Sequence, residues 1–300
     1  MKGIRMELRA DLLLMLYALI MGVTSVTLKL ATKDMGIPSF IALRFCIAFV
    51  LCLVLFFNRC RSQVTRPALF HSLLIGVVTY GAHVCCTTGI SMTPVSVAGF
   101  LTNLQTVVIP LIAFLFLRQR FDRRTLLCIL GAFVSIALIT LGNSIEYGTG
   151  VGLCIGSSVL AGVQILLIEK YVQKGDDPVV LTVGQLAVMA VCAVAAGFSS
   201  GGIQLPQSST GWLCVAYTGV ISTALATYIQ TYAQRYTTSV HTGIIFSSIP
   251  VFTLIGGRLA FQESFTPRAA FGAALMVICV VAMELRPDSK RECPKANISE

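Results

Sequence analysis

The sequence predicts an all-α integral membrane protein whose ten transmembrane helices form two inverted five-helix repeats around a central cavity. Two observations support this prediction. Apolar stretches of bilayer length follow one another along the whole chain, and glycine and proline pairs recur at a spacing of about 140 residues. Each repeat holds an odd number of stretches, so the second repeat enters the membrane upside down relative to the first.

Composition excludes a soluble globular domain. Hydrophobic residues make up 56% of the chain and charged residues only 12%, with a mean hydropathy of +0.84, whereas soluble domains carry about 25% charged residues. A spanning helix needs about 20 mostly apolar residues, while barrel strands would appear as alternating segments of about ten. The predicted spans are 11–30, 37–57, 67–90, 94–117, 123–142, 149–171, 178–198, 211–233, 238–260 and 267–285.

The internal repeat divides the chain into two units. Glycine and proline have backbone roles that other residues rarely fill, so their shared spacing indicates two copies of one structure. We expect the first repeat at 1–145, the second at 146–286 and a disordered cytoplasmic tail at 287–300. The matching pairs are Gly22-Val23 with Gly162-Val163, Pro38 with Pro178, and Ile109-Pro110 with Ile249-Pro250.

The net charge of +9 reflects topology rather than a nucleic-acid partner. If the amino terminus is cytoplasmic, 17 of the 22 Lys and Arg residues fall on the cytoplasmic side, which is the bias that orients membrane proteins. We therefore expect a multi-pass protein of the cytoplasmic (inner) membrane with both termini in the cytoplasm. The eleven cysteines form no CxxC pair, and Walker-type loops are absent, so the sequence predicts no metal, cofactor or direct use of ATP.

Polar side chains in mid-span are candidates for a transport pathway, because they cost free energy unless paired or hydrated. Arg44 is the strongest candidate, since a guanidinium at depth costs about 2.5–3.5 kcal/mol on insertion scales. It is predicted to contact an anionic substrate group, to reach the external interface or to bind carbonyls of neighbouring helices. Gln185 is its near-equivalent in the second repeat.

Helical spacing selects the other candidates. Tyr80 and His83 share one face, as do Asn103 and Thr106, whereas Gln105 lies about 200° around the helix from Asn103 and is expected to serve a different contact. No aspartate or glutamate lies at mid-depth, which argues against a proton-coupled pump. The predicted substrate-binding residues are Arg44, Tyr80, His83, Asn103, Thr106, Gln164, Gln185 and Tyr228, and the predicted gating residues are the helix-kinking Pro110 and Pro250.

Short motifs recur in a fixed order along both halves of the sequence. They are Ala42-Leu43-Arg44-Phe45, Val95 to Leu104 leading to Pro110, Asp177-Pro178 with Gln185, Thr238-Ser239-Val240 leading to Pro250, and Gln262-Glu263 before Gly272-Ala273. Their order, spacing and duplication resemble the drug/metabolite transporter superfamily, and within it proteins with tandem EamA units. This resemblance covers nearly the whole chain. It implies ten helices, cytoplasmic termini, a central cavity between the halves and movement of metabolites, commonly export, without ATP.

Together these features predict a secondary carrier or facilitator rather than an enzyme. The expected partners are the lipid bilayer and a small-molecule substrate, with amino acids or related compounds as the class to test first and export by alternating access as the expected direction. A translocator of lipid-linked or nucleotide-sugar substrates is an alternative. An intramembrane protease using Ser247 or Ser248 with His83 is another. The oligomeric state stays open, a homodimer included.

Overall fold

The computed structural model of the chain describes residues 2–93, 95–117, 123–140, 148–261 and 267–284. Every secondary-structure element in these ranges is helical. A π-helical segment, Thr218–Leu225, joins α9 to α10 without a break. The α-helices are α1 (Lys2–Asp34), α2 (Ile37–Gln63), α3 (Arg66–Met92), α4 (Val95–Thr102), α5 (Gln105–Leu117), α6 (Arg123–Thr140), α7 (Thr149–Gln173), α8 (Pro178–Ser199), α9 (Ser209–Tyr217), α10 (Ala226–Ala233), α11 (Ser239–Phe246), α12 (Ile249–Phe261) and α13 (Pro267–Glu284).

Six helical stretches in the described ranges are long and apolar enough to cross a membrane. Shorter helices lie at the other predicted spans: α4 with α5, α6, α11 with α12, and α13. Large apolar side chains such as Val54, Leu213 and Leu259 are exposed, and lipid would cover them. The part of the chain that the structure describes is therefore all-helical and typical of a membrane protein. The six stretches are Leu8–Thr32, Ile37–Gln63, Arg66–Met92, Thr149–Gln173, Pro178–Ser199 and Ser209–Ala233.

Proline and capping side chains fix where several helices begin. Thr65 Oγ1 accepts a hydrogen bond from the backbone N of Ala68 at 3.3 Å, and Asp177 Oδ1 accepts one from the backbone N of Val179 at 2.8 Å. Both caps satisfy amides that a helix start leaves without an internal partner. A proline in the first turn of α3 and of α8 favours the same boundaries because its fixed φ suits that position.

Two predicted spans are interrupted, in each case on the amino-terminal side of the proline at which the sequence predicts a kink. The first half breaks at Asn103 and Leu104, and Pro110 lies inside α5. Asn103 Nδ2 donates to the Gly99 carbonyl at 2.8 Å, so a side chain takes an acceptor that the helix would use. The second half breaks at residues 247–248, directly before Pro250 at the start of α12.

Equivalent helices of the two sequence repeats make equivalent contacts. α2 packs on α8 and α6 on α13, while α3 packs on α7 as α10 does on α1, and α5 packs on α7 as α12 does on α1. Arg59 near the end of α2 contacts Asp177 at the start of α8, with Nη2 and Oδ2 2.9 Å apart. Ser39 near the start of α2 accepts a hydrogen bond from the backbone N of Gln204, beyond the end of α8. The equivalent helices α2 and α8 therefore run antiparallel.

Candidate functional site

A cavity of about 130 Å³ lies between the two halves. Its lining comes from α1, α2, α3 and the α4–α5 interruption in the first half, and from α7, α10 and the α11–α12 interruption in the second. The arrangement places hydrogen-bonding groups of both halves around one space. The polar side chains in the described lining are Tyr17, Thr24, Ser25, Arg44, His83, Thr102, Asn103, Gln105, Ser157, Gln164 and Gln230.

The cavity lies toward the end of the bundle where α1 ends and α2 begins. Leu28 near the end of α1, Arg44 near the start of α2 and Ile90 near the end of α3 all line it. Ser157, in the first half of α7, faces it from the second repeat.

Arg44 is buried in this lining, with only 2% of its surface exposed. Its Nε donates to Thr223 Oγ1 at 2.5 Å, and its Nη2 donates to Ser222 Oγ at 3.4 Å. The guanidinium carbon also lies 5.6 Å from the centre of the Phe45 ring. Both oxygen partners are neutral hydroxyls, so they orient the guanidinium without neutralising its charge.

The π-helical segment sets the position of these hydroxyls. Thr223 Oγ1 donates to the carbonyl of Thr218, five residues earlier, at 2.7 Å, which leaves its lone pairs for Arg44. Gly219 lets the segment approach α2 closely, because a Cβ there would lie 3.2 Å from the Arg44 carbonyl oxygen. π-helical turns are rare and frequently occur at functional sites. The segment, which belongs to the second half, thus contacts Arg44 of the first half.

An aromatic pair separates the cavity from the opposite end of the bundle. Tyr17 of α1 and Phe246 of α11 both line the cavity. Their rings stack with centroids 4.3 Å apart and planes inclined by 13°. A stacked pair of this kind contributes about 0.5–1.5 kcal/mol beyond the burial of its surface, so the pair forms a stable floor.

Two polar contacts lie beyond this aromatic floor. Asp11 Oδ1 lies 3.0 Å from His241 Nε2, which ties α1 to α11. Glu169, near the end of α7, accepts hydrogen bonds from the Ser239 hydroxyl and from the Ser239 backbone N, the latter at 3.0 Å. We call the Tyr17–Phe246, Asp11–His241 and Glu169–Ser239 contacts together the closed end. The first two contacts join the first half to the second, whereas Glu169–Ser239 joins α7 to α11 within the second half, and all three lie on the same side of the cavity.

Comparison with known proteins identifies the family. The sequence profile of the EamA-like transporter family matches residues 8–141 and 148–284. The chain belongs to this family. An uncharacterized transporter from Archaeoglobus fulgidus is 29% identical over 281 residues, which span 93% of this chain and 87% of the relative. The protein is thus a multi-pass membrane transporter, and its family and relative point away from an enzyme.

A solved crystal structure shares the fold of this EamA-like transporter. Its TM-score is 0.75, and the match covers 91% of this chain and 96% of the other. The two sequences are only 15% identical, so the likeness concerns architecture alone. The helical arrangement described above is therefore one that another chain also adopts.

Half of the predicted binding residues line the cavity of the transporter. Arg44, His83, Asn103 and Gln164 all contribute to it, and the His83 ring lies edge-on to Phe45 with centroids 5.4 Å apart. These side chains come from α2, α3, the α4–α5 interruption and α7. The cavity is therefore a suitable place to test their predicted role in substrate binding.

The other four predicted residues make contacts outside the described lining. Tyr80 lies edge-on to Phe45, and Tyr228 stacks on Phe56 with centroids 5.1 Å apart. Two further residues link neighbouring helices. Thr106 Oγ1 donates to the Gly243 carbonyl at 3.1 Å, and Gln185 Nε2 contacts Thr231 Oγ1 at 3.4 Å. In this conformation their contacts are with protein, and their role in substrate binding stays a prediction.

Gln105 is placed differently from the expectation drawn from the sequence. It lines the cavity together with Asn103, although the two residues would point about 200° apart on a continuous helix. The helix is interrupted at Asn103 and Leu104, so that angle does not apply. The sequence argument failed because it assumed an unbroken span.

Sequence reasoning also missed the contribution of α1. Tyr17, Met21, Thr24 and Leu28 line the cavity at spacings of four, three and four residues. Such spacing places side chains on one face of a helix. The helical spacing of Tyr17 and Thr24 within an otherwise apolar span was the sequence feature that would have predicted this cavity-lining face. Gln230 of α10 also lines the cavity and was not among the predicted residues.

Proposed function

We propose that this EamA-like transporter is a secondary carrier that moves small metabolites across the cytoplasmic membrane, chiefly outward, by alternating access. The observation that carries the proposal is the cavity of about 130 Å³ between the two halves, which the stacked Tyr17 and Phe246 rings bound on one side. A carrier needs a site reached from one side at a time. Breaking the closed end while packing the opposite side would expose the same site to the other compartment.

An inverted repeat explains how one fold could alternate between two such states. We propose repeats at 1–145 and 146–286 with ten spans, supported by the antiparallel packing of α2 on α8 and by the reciprocal contacts of the other helices. The boundary at 145–146 and the tail at 287–300 lie outside the described residues. Dimer formation stays a prediction.

Charge distribution supports the proposed orientation. Arg59, Arg61 and Arg66 lie where α2 ends and α3 begins, and Lys170 and Lys174 lie where α7 ends. Basic residues concentrate on the cytoplasmic side of membrane proteins. In this orientation both termini are cytoplasmic, the closed end faces the cytoplasm and the cavity lies toward the outside.

Cavity size favours small metabolites over the larger alternatives. The cavity of about 130 Å³ is smaller than the pockets of about 300–1,000 Å³ that hold drug-sized ligands. Amino acids and related compounds fit this limit better than lipid-linked or nucleotide-sugar substrates.

The protease alternative has less support. Ser247 Oγ and Ser248 Oγ donate to the carbonyls of Ile244 and Ile245 at 2.5 and 2.6 Å. The ring contact of His83 is with Phe45. A serine nucleophile would need its hydroxyl directed at a histidine base, and neither serine is directed in this way.

Counterflow in proteoliposomes tests the proposal. Liposomes loaded with an unlabelled amino acid receive the same compound, radiolabelled, on the outside, for each member of a panel of small amino acids. A carrier gives saturable uptake and transient accumulation of label against empty-liposome controls. Leu213→Ala, which alters an exposed apolar position, should behave like the parent protein. Flux that rises linearly without saturation would indicate a channel, and chemical conversion of the probe would indicate an enzyme.

A further inference from the structure

The buried cation of the cavity has no anionic partner in the described part of the chain. Among the residues that the structure describes, Arg44 donates side-chain hydrogen bonds only to the hydroxyls of Ser222 and Thr223, and the described lining contains no aspartate or glutamate. Guanidinium groups stay charged in proteins, and a buried charge is strongly disfavoured unless a counter-charge accompanies it. A carboxylate group of a solute in the cavity would supply a counter-charge to Arg44.

The geometry of Arg44 leaves a donor available for that charge. Arginine has five N–H groups in a planar fork. Nε and Nη2 are directed at Thr223 and Ser222, and Nη1 donates to no residue in the described ranges. A guanidinium held on one edge by neutral hydroxyls and left open at another edge is suited to a carboxylate.

Two further polar atoms in the same lining lack partners. Asn103 is 4% exposed, and its Oδ1 has no hydrogen-bond donor although its Nδ2 is bound to Gly99. Gln230 is 3% exposed, and its Nε2 has no acceptor. Leaving such a buried group unsatisfied costs about 1–3 kcal/mol. One unsatisfied acceptor and one unsatisfied donor thus accompany the unneutralised cation.

We propose that the cavity binds a small solute that carries both a carboxylate group and a hydrogen-bond donor, as a 2-hydroxy acid or an amino acid does. The carboxylate meets Arg44 and Gln230 Nε2, and the hydroxyl or ammonium group donates to Asn103 Oδ1. This inference rests on the proposed carrier function and deepens it by naming the substrate class. In this proposal the π-helical segment holds Arg44 in its binding orientation.

Matched probes test the two requirements of the proposal, the carboxylate group and the hydrogen-bond donor, separately. Lactate carries both groups, lactamide keeps the hydroxyl without the charge, and propionate keeps the charge without the hydroxyl. Alanine and alaninamide form a second pair. Thermal unfolding of the purified full chain in detergent measures binding of each. We expect lactate or alanine to bind roughly 10- to 100-fold more tightly than its amide, the range set by a charged hydrogen bond.

Variants assign the contacts. Arg44→Gln should bring lactate and lactamide to equal affinity, and Asn103→Leu should bring lactate and propionate to equal affinity while preserving the preference for lactate over lactamide. Leu213→Ala is the control. Because Asn103→Leu leaves Arg44 in place, it keeps the test informative if Arg44→Gln does not fold. Lack of binding by both lactate and alanine, or amide binding as tight as acid binding, overturns the inference.

The outcomes also distinguish this inference from the carrier proposal. Carboxylate binding without counterflow supports the site and contradicts the carrier. Counterflow of a solute that competes with none of the carboxylate probes supports the carrier and contradicts the site. Loss of both activities in Arg44→Gln, with an unchanged unfolding midpoint, supports the two together.

Discussion

Tyr17 of α1 and Phe246 of α11 stack at 4.3 Å between ring centroids, directly beneath the cavity that both residues line. The pair joins a helix of the first half to a helix of the second at the closed end. In the proposed carrier this contact has to break each time the cavity opens toward the cytoplasm. The stack therefore contributes to the free-energy difference between the outward-facing and the cytoplasm-facing states of the proposed carrier.

Tyr17→Leu is expected to shift the equilibrium between these two states toward the cytoplasm-facing one. Leucine keeps apolar bulk but loses the stack, which contributes about 0.5–1.5 kcal/mol, a shift of about 2- to 13-fold in the equilibrium. Cys86 lines the cavity and serves as a reporter in a chain whose other cysteines are replaced by alanine or serine. Its rate of modification by a reagent added on the cytoplasmic side should rise by that factor. An unchanged rate would show that the stack does not hold the closed end.

The Asp11–His241 contact should be energetically coupled across the halves. Removing either partner leaves a buried polar group behind, so Asp11→Asn and His241→Gln should each destabilise the closed end. Residues in direct contact show coupling energies of about 0.5–3 kcal/mol. A double-mutant cycle on Cys86 modification rates measures that energy directly. Strictly additive effects would mean that the contact of 3.0 Å has no role in closing this end.

Gly219→Ala is expected to reduce transport by moving the π-helical segment away from Arg44. A Cβ at this position would lie 3.0 Å from Ile47 Cγ2 and 3.2 Å from the Arg44 carbonyl oxygen, and such overpacking costs about 1–3 kcal/mol. Counterflow rate and unfolding midpoint should both fall. Gly152→Ala is the matched control, because its Cβ would meet nothing within 4 Å. Equal counterflow rates and equal unfolding midpoints in the two variants would show that the close packing at Gly219 is not needed for transport.

His83→Gln should leave the pH dependence of transport unchanged. The ring lies against Phe45 in a cavity whose described lining already holds the positive charge of Arg44, so protonation would place a second cation beside the first. Flux measured from pH 5 to pH 8 (about the range in which an ordinary histidine titrates) checks this. A pH profile that flattens in His83→Gln would instead identify His83 as a proton carrier.

Much of the fold was predictable because proline and glycine mark helix boundaries locally. The predicted starts at 37, 149 and 178 coincide with those of α2, α7 and α8. Some other predicted boundaries agree less well. α2 continues to Gln63 and α1 begins at Lys2, because a helix does not stop where the apolar stretch that spans the bilayer stops.

The site was predictable only where a side chain could be assigned without knowing how helices are rotated. Arg44 and Asn103 stand out because a buried charge or amide in an apolar span requires a partner. Gln185 looked equivalent to Arg44, yet it contacts Thr231 of the neighbouring α10. Sequence periodicity gives the face of one helix, but which neighbour that face meets depends on packing among all of them.

Side-specific labelling of two equivalent positions tests the central claim, which is that the halves are inverted copies enclosing one cavity. Ser62 lies near the end of α2, and Ser200 lies at the end of the equivalent α8, and both are exposed. Single cysteines at these sites, Ser62→Cys and Ser200→Cys, are labelled with a membrane-impermeant reagent in intact cells. If the halves are inverted, the cysteine at position 200 is labelled from outside, and the cysteine at position 62 is labelled only after the membrane is opened. Labelling of both positions from the same side would contradict the inversion.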